Sequence, residues 1–298
     1  MDQPLVSIRC LVYNHEKFLR QCLEGFVMQQ CSFPFVAVVH DDASTDGSAA
    51  IIKEYAQRYP DIIKPIFEQE NLFSKHDGSL RCMLNQACLG KYIAFCEGDD
   101  YWTDPLKLQK QVTFLEDHPD YALCFHRARM IYEDGLKACG VNYEKAEDRD
   151  YGHQEMLRWM YAPTASMVLR REVLDYEAKE RDKIIYGDQY MVLCSYRFGK
   201  VRGMSDFMSV YRFHRSSMMH DQKFDDFRLR GEPANFRALL RNFHYINGIR
   251  IHHFISQSYW KRSRIQPTPW LRLSDKLMSL YTEPLTFLLE TYRSIRRK

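Results

Sequence analysis

The stretch FVAVVHDDASTDGSAAIIKEYAQRYP, residues 35–60, decides the fold class. It opens as a short apolar run, Phe35–Asp41, and breaks into a turn that holds Asp41, Asp42, Ser44, Asp46 and Gly47. It then continues as an amphipathic stretch of helical length, Asp46–Tyr59. An apolar run this continuous, without alternating polar residues, is the pattern of a strand covered on both faces. Strand, acidic turn and helix together make the first half of a βαβ unit.

Working outward, the same pattern recurs. Further apolar runs are Leu5–Val12, Ile62–Phe67 and Tyr92–Cys96; further amphipathic stretches are Phe18–Gln30 and Ser79–Leu89. In the first helix Leu19, Leu23 and Phe26 repeat at helical spacing, and Asn14 is placed to cap it. A fourth helix is expected after the fourth strand, with Asp104 as N-cap, Pro105 as its first residue, and Leu108, Val112 and Leu115 inward. This alternation predicts an α/β fold, a Rossmann-like, mainly parallel sheet flanked by helices. Such sheets bind ligands beyond the carboxyl ends of their strands.

After a strand at Tyr121–Tyr132 the pattern loosens into a charged loop, 133–150, a short helix at Gln154–Met160 and a strand at Thr164–Leu169. Asp188–Phe198 reads as a helix stopped by Gly199, Phe207–Phe213 as a strand, and the chain from Asp225 onward as helical, aromatic and basic. The expected organisation is a catalytic domain over residues 1–220 and a helical C-terminal extension over 221–298.

Composition narrows the function. The 298 residues carry 42 Lys+Arg against 39 Asp+Glu, a net charge of +3, too balanced to imply a nucleic-acid partner. With 45% hydrophobic and 14% aromatic residues the chain is no disordered polymer. Nine cysteines without a CxxC pair, several inside apolar runs, fit buried thiols in a reducing compartment. The opening MDQPLVSIRC has no basic segment before an apolar run, and no run reaches 18 apolar residues. A cytoplasmic protein is expected, with any membrane contact peripheral.

The chemistry lies in two acidic clusters at strand ends: His40-Asp41-Asp42 and Glu97-Gly98-Asp99-Asp100. Like charges crowded in a cleft repel, and burial raises that cost. Neither cluster has Arg or Lys in its immediate sequence. A divalent cation, Mn²⁺ or Mg²⁺, would resolve the conflict, since these ions take one or two carboxylates together with substrate phosphates. It would also neutralise the charge that develops on a departing diphosphate. Other readings fail on spacing. The loop from Asp42 has Lys53 where an EF-hand needs a bidentate Glu, there is no GxGxxG or GxxxxGK[ST] cradle, and no Cys or His pair stands at zinc spacing.

The segments VSIRCLVYNHEKFLRQCLEGFVMQQ, HDDASTDGS and GKYIAFCEGDDYWTDPLKLQKQ resemble family 2 glycosyltransferases of the GT-A fold, inverting enzymes that use nucleotide-sugar donors. The resemblance is dense from Leu5 to about Tyr132 and patchier to about His214. It implies transfer of a hexosyl group to a saccharide or lipid-linked saccharide acceptor in cell-surface polysaccharide or glycolipid assembly. By its motifs Asp42, preceded by Asp41, contacts the nucleotide base; Asp99 and Asp100, with Glu97 at the first acidic position, grip ribose and metal. Tyr13 and Asn14 join the donor site, Asp188 is the catalytic base, and Tyr211-Arg212-Phe213-His214 brings His214 to the metal. For the base there is a physical argument too: at a helix start, the dipole and free N–H groups favour the anion that takes a hydroxyl proton.

Plainer readings stand beside these. Ser44, Asp46 and Asp104 read as caps, Asp188 has a capping alternative, and His214 can be a structural histidine. Arg9, inside an apolar strand, is expected at an edge or sheet end. Residues 261–298 carry nine Lys/Arg against three acidic residues, interleaved with Trp270, Leu271, Leu273, Leu277, Leu280, Leu285, Phe287, Leu288 and Leu289. That mixture suits an anionic membrane surface, or a helix packed with a solvated basic face. Two other functions remain open: a sugar-phosphate nucleotidyltransferase, against which the loop Tyr13–Lys17 lacks a Gly-rich basic grip, and a catalytically inactive nucleotide-sugar-binding protein.

Overall fold

The computed structural model describes residues 3–133, 136, 141–158, 161–176, 184–215, 217, 222–243, 248–284 and 288. Cys139, Leu285, Phe287 and Leu289 therefore lie outside the described residues, as does the end of the helix expected at Gln154–Met160. The chain divides into two compact units, residues 1–176 with 191–213, and residues 177–190 with 214–298.

In chain order the first unit holds β1 (Val6–Val12), α1 (Glu16–Val27), β2 (Phe35–Asp41), α2 (Ser48–Arg58), β3 (Ile63–Phe67), α3 (Ser79–Ala87) and β4 (Tyr92–Phe95). It continues with β5 (Tyr101–Trp102), α4 (Lys107–Asp117), β6 (Tyr121–Tyr132), α5 (His153–Arg158), β7 (Val168–Arg170) and α6 (Arg171–Asp175). Helix α7 (Gly187–Ser195) begins in the second unit and ends in the first, followed by β8 (Lys200–Phe213). The eight strands form one sheet in the order β3-β2-β1-β4-β7-β6-β8-β5.

The first four strands are parallel: β1 pairs with β2 and β4, and β2 with β3. The other half is mixed. β7 runs antiparallel between β4 and β6, β6 and β8 are parallel, and β5 lies antiparallel at the edge. Three of the four apolar runs became the interior strands β1, β2 and β4, each flanked on both sides, while Ile62–Phe67 became β3 at the sheet edge. Val6, Ile8, Cys10, Val12, Ala37 and Val39 are fully buried and pack with Leu19, Leu23 and Phe26 of α1. The expected inward residues of α4, Leu108, Val112 and Leu115, lie in the same core.

Four local expectations are corrected. Helix α4 begins at Lys107 with Leu106 at its N-cap, so neither Asp104 nor Pro105 takes its expected place, although Asp104 Oδ1 accepts the Leu106 N–H (2.8 Å). Asn14 does not cap α1; His15 occupies that position and Asn14 sits in the left-handed region at φ 57°. Arg9 is not at an edge, since β1 is flanked on both sides, and its guanidinium lies 5.7 Å from the centre of the Phe95 ring. The strand expected at Thr164–Leu169 is a 3₁₀ turn at Thr164–Ser166 followed by β7, because Trp102 Nε1–H donates to the Ala165 carbonyl and Gln111 Nε2–H to that of Ser166.

The second unit consists of the start of α7, α8 (Gln222–Asn242), α9 (Gly248–Ser263) and α10 (Pro269–Thr282). Thr268 caps α10 by accepting the Leu271 N–H, with Pro269 opening the helix. Among the described residues no helix is long and apolar enough to cross a membrane.

Candidate active site

The parallel register sets Val12 of β1 beside Asp41 of β2, and β4 runs on the other side of β1 into Glu97-Gly98-Asp99-Asp100. The two acidic clusters therefore flank the carboxyl end of one strand, where ligands of such sheets bind.

The loops that follow β1 and β2 are laced together. The Asn14 N–H donates to Ser44 Oγ (2.9 Å), Asn14 Oδ1 accepts the Thr45 N–H (2.8 Å), and the His15 N–H donates to Ser48 Oγ (3.0 Å). Asp46 serves two helices at once, accepting the Ser48 N–H on Oδ1 (2.9 Å) and the Glu16 N–H on Oδ2 (3.0 Å). Glu16 returns the bond by accepting the Gly47 N–H (2.9 Å). The capping role of Asp46 thus spans α1 and α2, and these bonds satisfy helix-start donors that would otherwise be orphaned. Asn14 is committed to this lacing, whereas the Tyr13 side chain is exposed.

Asp41 and Asp42 are both buried but differently employed. Asp42 accepts the Leu72 N–H on Oδ1 (2.7 Å) and the Phe73 N–H on Oδ2 (3.0 Å), fastening the loop after β3. Asp41 is 3% exposed, and its Oδ1 is buried without a hydrogen-bond partner. Burial pushes the Asp41 carboxyl above the usual carboxylate range, with Ser44 pulling the other way. A buried acceptor left open is costly in an isolated protein and is a place for a ligand's donor.

In the second cluster Glu97 is half-buried and accepts the Leu11 N–H (3.1 Å). Burial, reinforced by Asp99 and opposed by Arg9, raises its carboxyl to about 7. Gly98 is required by close approach: a Cβ there would stand 2.8 Å from His15 Nδ1 and 2.9 Å from Val12 Cγ2. Asp99 is partly exposed, 3.8 Å from His15 Nε2. Asp100 is buried, and both burial and the charge of Asp99 drive its carboxyl upward.

One cation answers this cluster from far along the chain. The Arg212 main-chain N–H donates to Asp100 Oδ1 (2.8 Å), and its guanidinium donates to the Asp99 carbonyl (2.6 Å) and to Gln21 Oε1. The guanidinium carbon lies 4.3 Å from the Tyr101 ring centre and 5.1 Å from that of Phe18. Among the described residues, no three His, Cys, Asp or Glu side chains form a ready-made metal cage. The donor set is nonetheless of the right kind: hard carboxylate oxygens whose mutual repulsion a cation would relieve.

The profile described as Glycosyl transferase family 2 matches residues 7–176. The chain belongs to that family. An uncharacterized protein of Mycobacterium tuberculosis is 37% identical to it over 244 residues, which are 80% of this chain and 69% of the relative. An uncharacterized glycosyltransferase of Methanocaldococcus jannaschii is 31% identical over 219 residues, 71% and 72% of the two chains. Among solved structures, S. aureus TarS 1–349 in complex with UDP-GlcNAc gives a TM-score of 0.63 at 17% identity, covering 93% of this chain and 79% of TarS 1–349. The mannosyltransferase PcManGT from Pyrobaculum calidifontis, in complex with GDP-Man and Mn²⁺, gives 0.53 at 15% identity, covering 100% and 82%. The structural likeness carries the fold, which is GT-A.

In this family 2 glycosyltransferase the first unit brings together Tyr13, Asn14, Asp41, Asp42, Glu97, Asp99 and Asp100. Asp188 and His214 belong to the second unit. Asp188 stands in the first turn of α7, half-buried, its Oδ1 accepting the Gln189 N–H (2.7 Å), and desolvation raises its carboxyl above the ordinary range. The segment before it is held by α8: Asn235 Oδ1 accepts the Ile185 N–H (2.8 Å), and the Tyr186 hydroxyl donates to Glu232 Oε1 (2.6 Å). His214 is buried, and its carbonyl accepts the Ser217 N–H (3.1 Å). Sequence reading placed residues 211–214 near the site, yet had no signal for Arg212 as the residue fastened to Asp99 and Asp100, which it meets across more than a hundred residues of chain.

Proposed function

We propose that this glycosyltransferase moves a sugar, of hexosyl type, from a nucleoside-diphosphate donor to a hydroxyl of a saccharide or lipid-linked saccharide acceptor, inverting the anomeric carbon. The observation that carries the donor class is the pair of carboxylate clusters on either side of β1, one of them offering a buried and unpartnered Asp41 Oδ1. That oxygen suits an N–H of the nucleotide base. Asp42 is held by the Leu72 and Phe73 N–H groups, one on each oxygen, and the remaining lone pairs of its carboxylate are available to the same base.

Asp99 and Asp100, with Glu97 behind them, would hold the ribose and a divalent cation, Mn²⁺ or Mg²⁺, with His214 the further candidate ligand. Such an ion supplies neutralisation of the leaving diphosphate. The Mn²⁺ in the PcManGT complex and the nucleotide sugars bound by both structural neighbours support this reading. Asp188 takes the proton of the attacking hydroxyl; the N-terminal end of α7 favours its anion against the burial that disfavours it. Eight described cysteines are free, six of them buried, in keeping with a reducing, cytoplasmic setting.

Incubation with a panel of nucleotide sugars and Mn²⁺ tests the proposal. Release of nucleoside diphosphate with an NMR signal of the opposite anomer in the product is the expected result. A product that keeps the donor's anomeric configuration, or release of pyrophosphate from a nucleoside triphosphate and a sugar phosphate, would overturn it.

A further inference from the structure

Helix α10 is built inside out. Its buried face is polar. Asp275, 3% exposed, accepts from Arg262 Nε (2.9 Å), Arg262 Nη2 (2.5 Å) and Gln266 Nε2 (2.9 Å). The Ser256 hydroxyl of α9 donates to the Ser279 carbonyl (2.9 Å), and the two hydroxyls lie 3.0 Å apart.

The outward face is apolar. Trp270 is 80% exposed, Tyr281 83% and Leu277 56%, with Leu273 and Leu280 exposed as well. At 3.6 residues per turn these five side chains fall in an arc of about 100°. An amphipathic helix of a water-soluble domain turns this stripe toward the core. Here the core side is satisfied by hydrogen bonds and an ion pair, so the stripe is left for something outside the unit. A continuous apolar patch of this kind marks a contact surface.

We infer that α10 is an in-plane anchor that seats its apolar stripe on an anionic phospholipid surface. Charge identifies the occupant. Arg272 and Lys276 of the same helix are exposed, as are Lys261 and Arg264 just before it. The acidic residue of α10, Asp275, is buried and paired with Arg262, so no carboxylate of this helix faces outward. Over residues 261–298 nine Lys/Arg face three acidic residues. An apolar stripe with Trp and Leu beside a basic flank is the composition of helices that lie at the headgroup boundary of negatively charged membranes. A second copy of this chain would bring the same basic flank against itself. The inference stands on α10 alone, whether or not the reaction proposed above is correct.

Co-sedimentation of the full chain with vesicles tests it, with a 1:1 mixture of phosphatidylglycerol and phosphatidylcholine compared with phosphatidylcholine alone. At low salt the expected result is retention on the anionic vesicles at least about fivefold above that on the neutral ones, weakening as salt is added. The double variant Trp270→Glu, Leu277→Glu, at exposed positions that touch no core, keeps its circular dichroism and loses that retention by roughly tenfold. Failure of the wild type to bind anionic vesicles overturns the inference, as does equal binding by the double variant. A vesicle-free dimer that the double variant dissolves, with no lipid binding by the wild type, assigns the stripe to a second copy instead.

Discussion

The Arg212 main chain donates to Asp100 Oδ1 at 2.8 Å while its side chain reaches the Asp99 carbonyl at 2.6 Å, so one residue of β8 grips two consecutive aspartates from both ends. The guanidinium is stacked against Tyr101 and Phe18, which fixes its plane. Two of its five guanidinium N–H donors go to the Asp99 carbonyl and to Gln21, which positions the acidic turn.

Arg212→Ala is expected to lower kcat/KM for the donor by about 10²-fold, the usual consequence of misplacing binding groups by an ångström or so. Arg212→Lys should recover little, since an ammonium can neither fork to two acceptors nor stack as a plane. Steady-state kinetics with varied donor decide this; wild-type kcat/KM in the Lys variant would show that charge alone is needed.

Asp41 and Asp42 should separate in their effects. Asp41→Asn keeps the fold and weakens donor binding by roughly tenfold or more, the worth of a hydrogen bond to a charged group. Asp42→Asn places an amide donor against the Leu72 and Phe73 N–H groups and lowers the thermal midpoint as well. Calorimetric titration with the donor and a melting curve for each variant check both halves.

Asp188→Asn is expected to leave donor affinity within about twofold and to cut turnover by roughly 10²–10⁴, the range for losing a general base. Binding and single-turnover measurements on the same preparation distinguish this from a merely structural role, in which both would fall together.

Lys107 provides a pH test away from the chemistry. It is fully buried in the first unit, with Nζ 4.1 Å from the Trp102 ring centre and donating to Gln111 Oε1 (2.7 Å). Burial pulls its ammonium from 10.5 down to about 7, against the smaller opposing pulls of Cys96, Cys124, Asp104 and Cys31. Between those two values the unfolded chain holds a proton that the folded chain has lost, so stability rises with pH across the window by up to about 1.4 kcal/mol per unit. Below about 7 the full cost of the buried charge is present. Lys107→Met should remove this slope, and its stability advantage over the wild type should shrink from pH 7 to pH 10 in denaturant titrations.

Much of this was legible in the residues. Continuity of the apolar runs located β1 to β4, and the rule for parallel sheets put both acidic clusters at one end of them. What stayed hidden depends on distant chain. β7 is only three residues long, too short for a period, and its antiparallel insertion between β4 and β6 turned the second half of the sheet. Asp41 and Asp42 look alike in sequence; only the loop carrying Leu72 and Phe73, about thirty residues on, gives them different work. Arg212 likewise shows its partner only when β8 has joined the sheet beside β5.

The reciprocal bonds between Glu16 and Gly47, and between Asp46 and Glu16, tie the starts of α1 and α2 to each other. Neither strand-end loop can therefore drift or be redesigned by itself. A change at either acid disturbs both rims of the same cleft, so tolerated substitutions at these two positions should arise in matched pairs, and the cleft reaches its ligand already stiff.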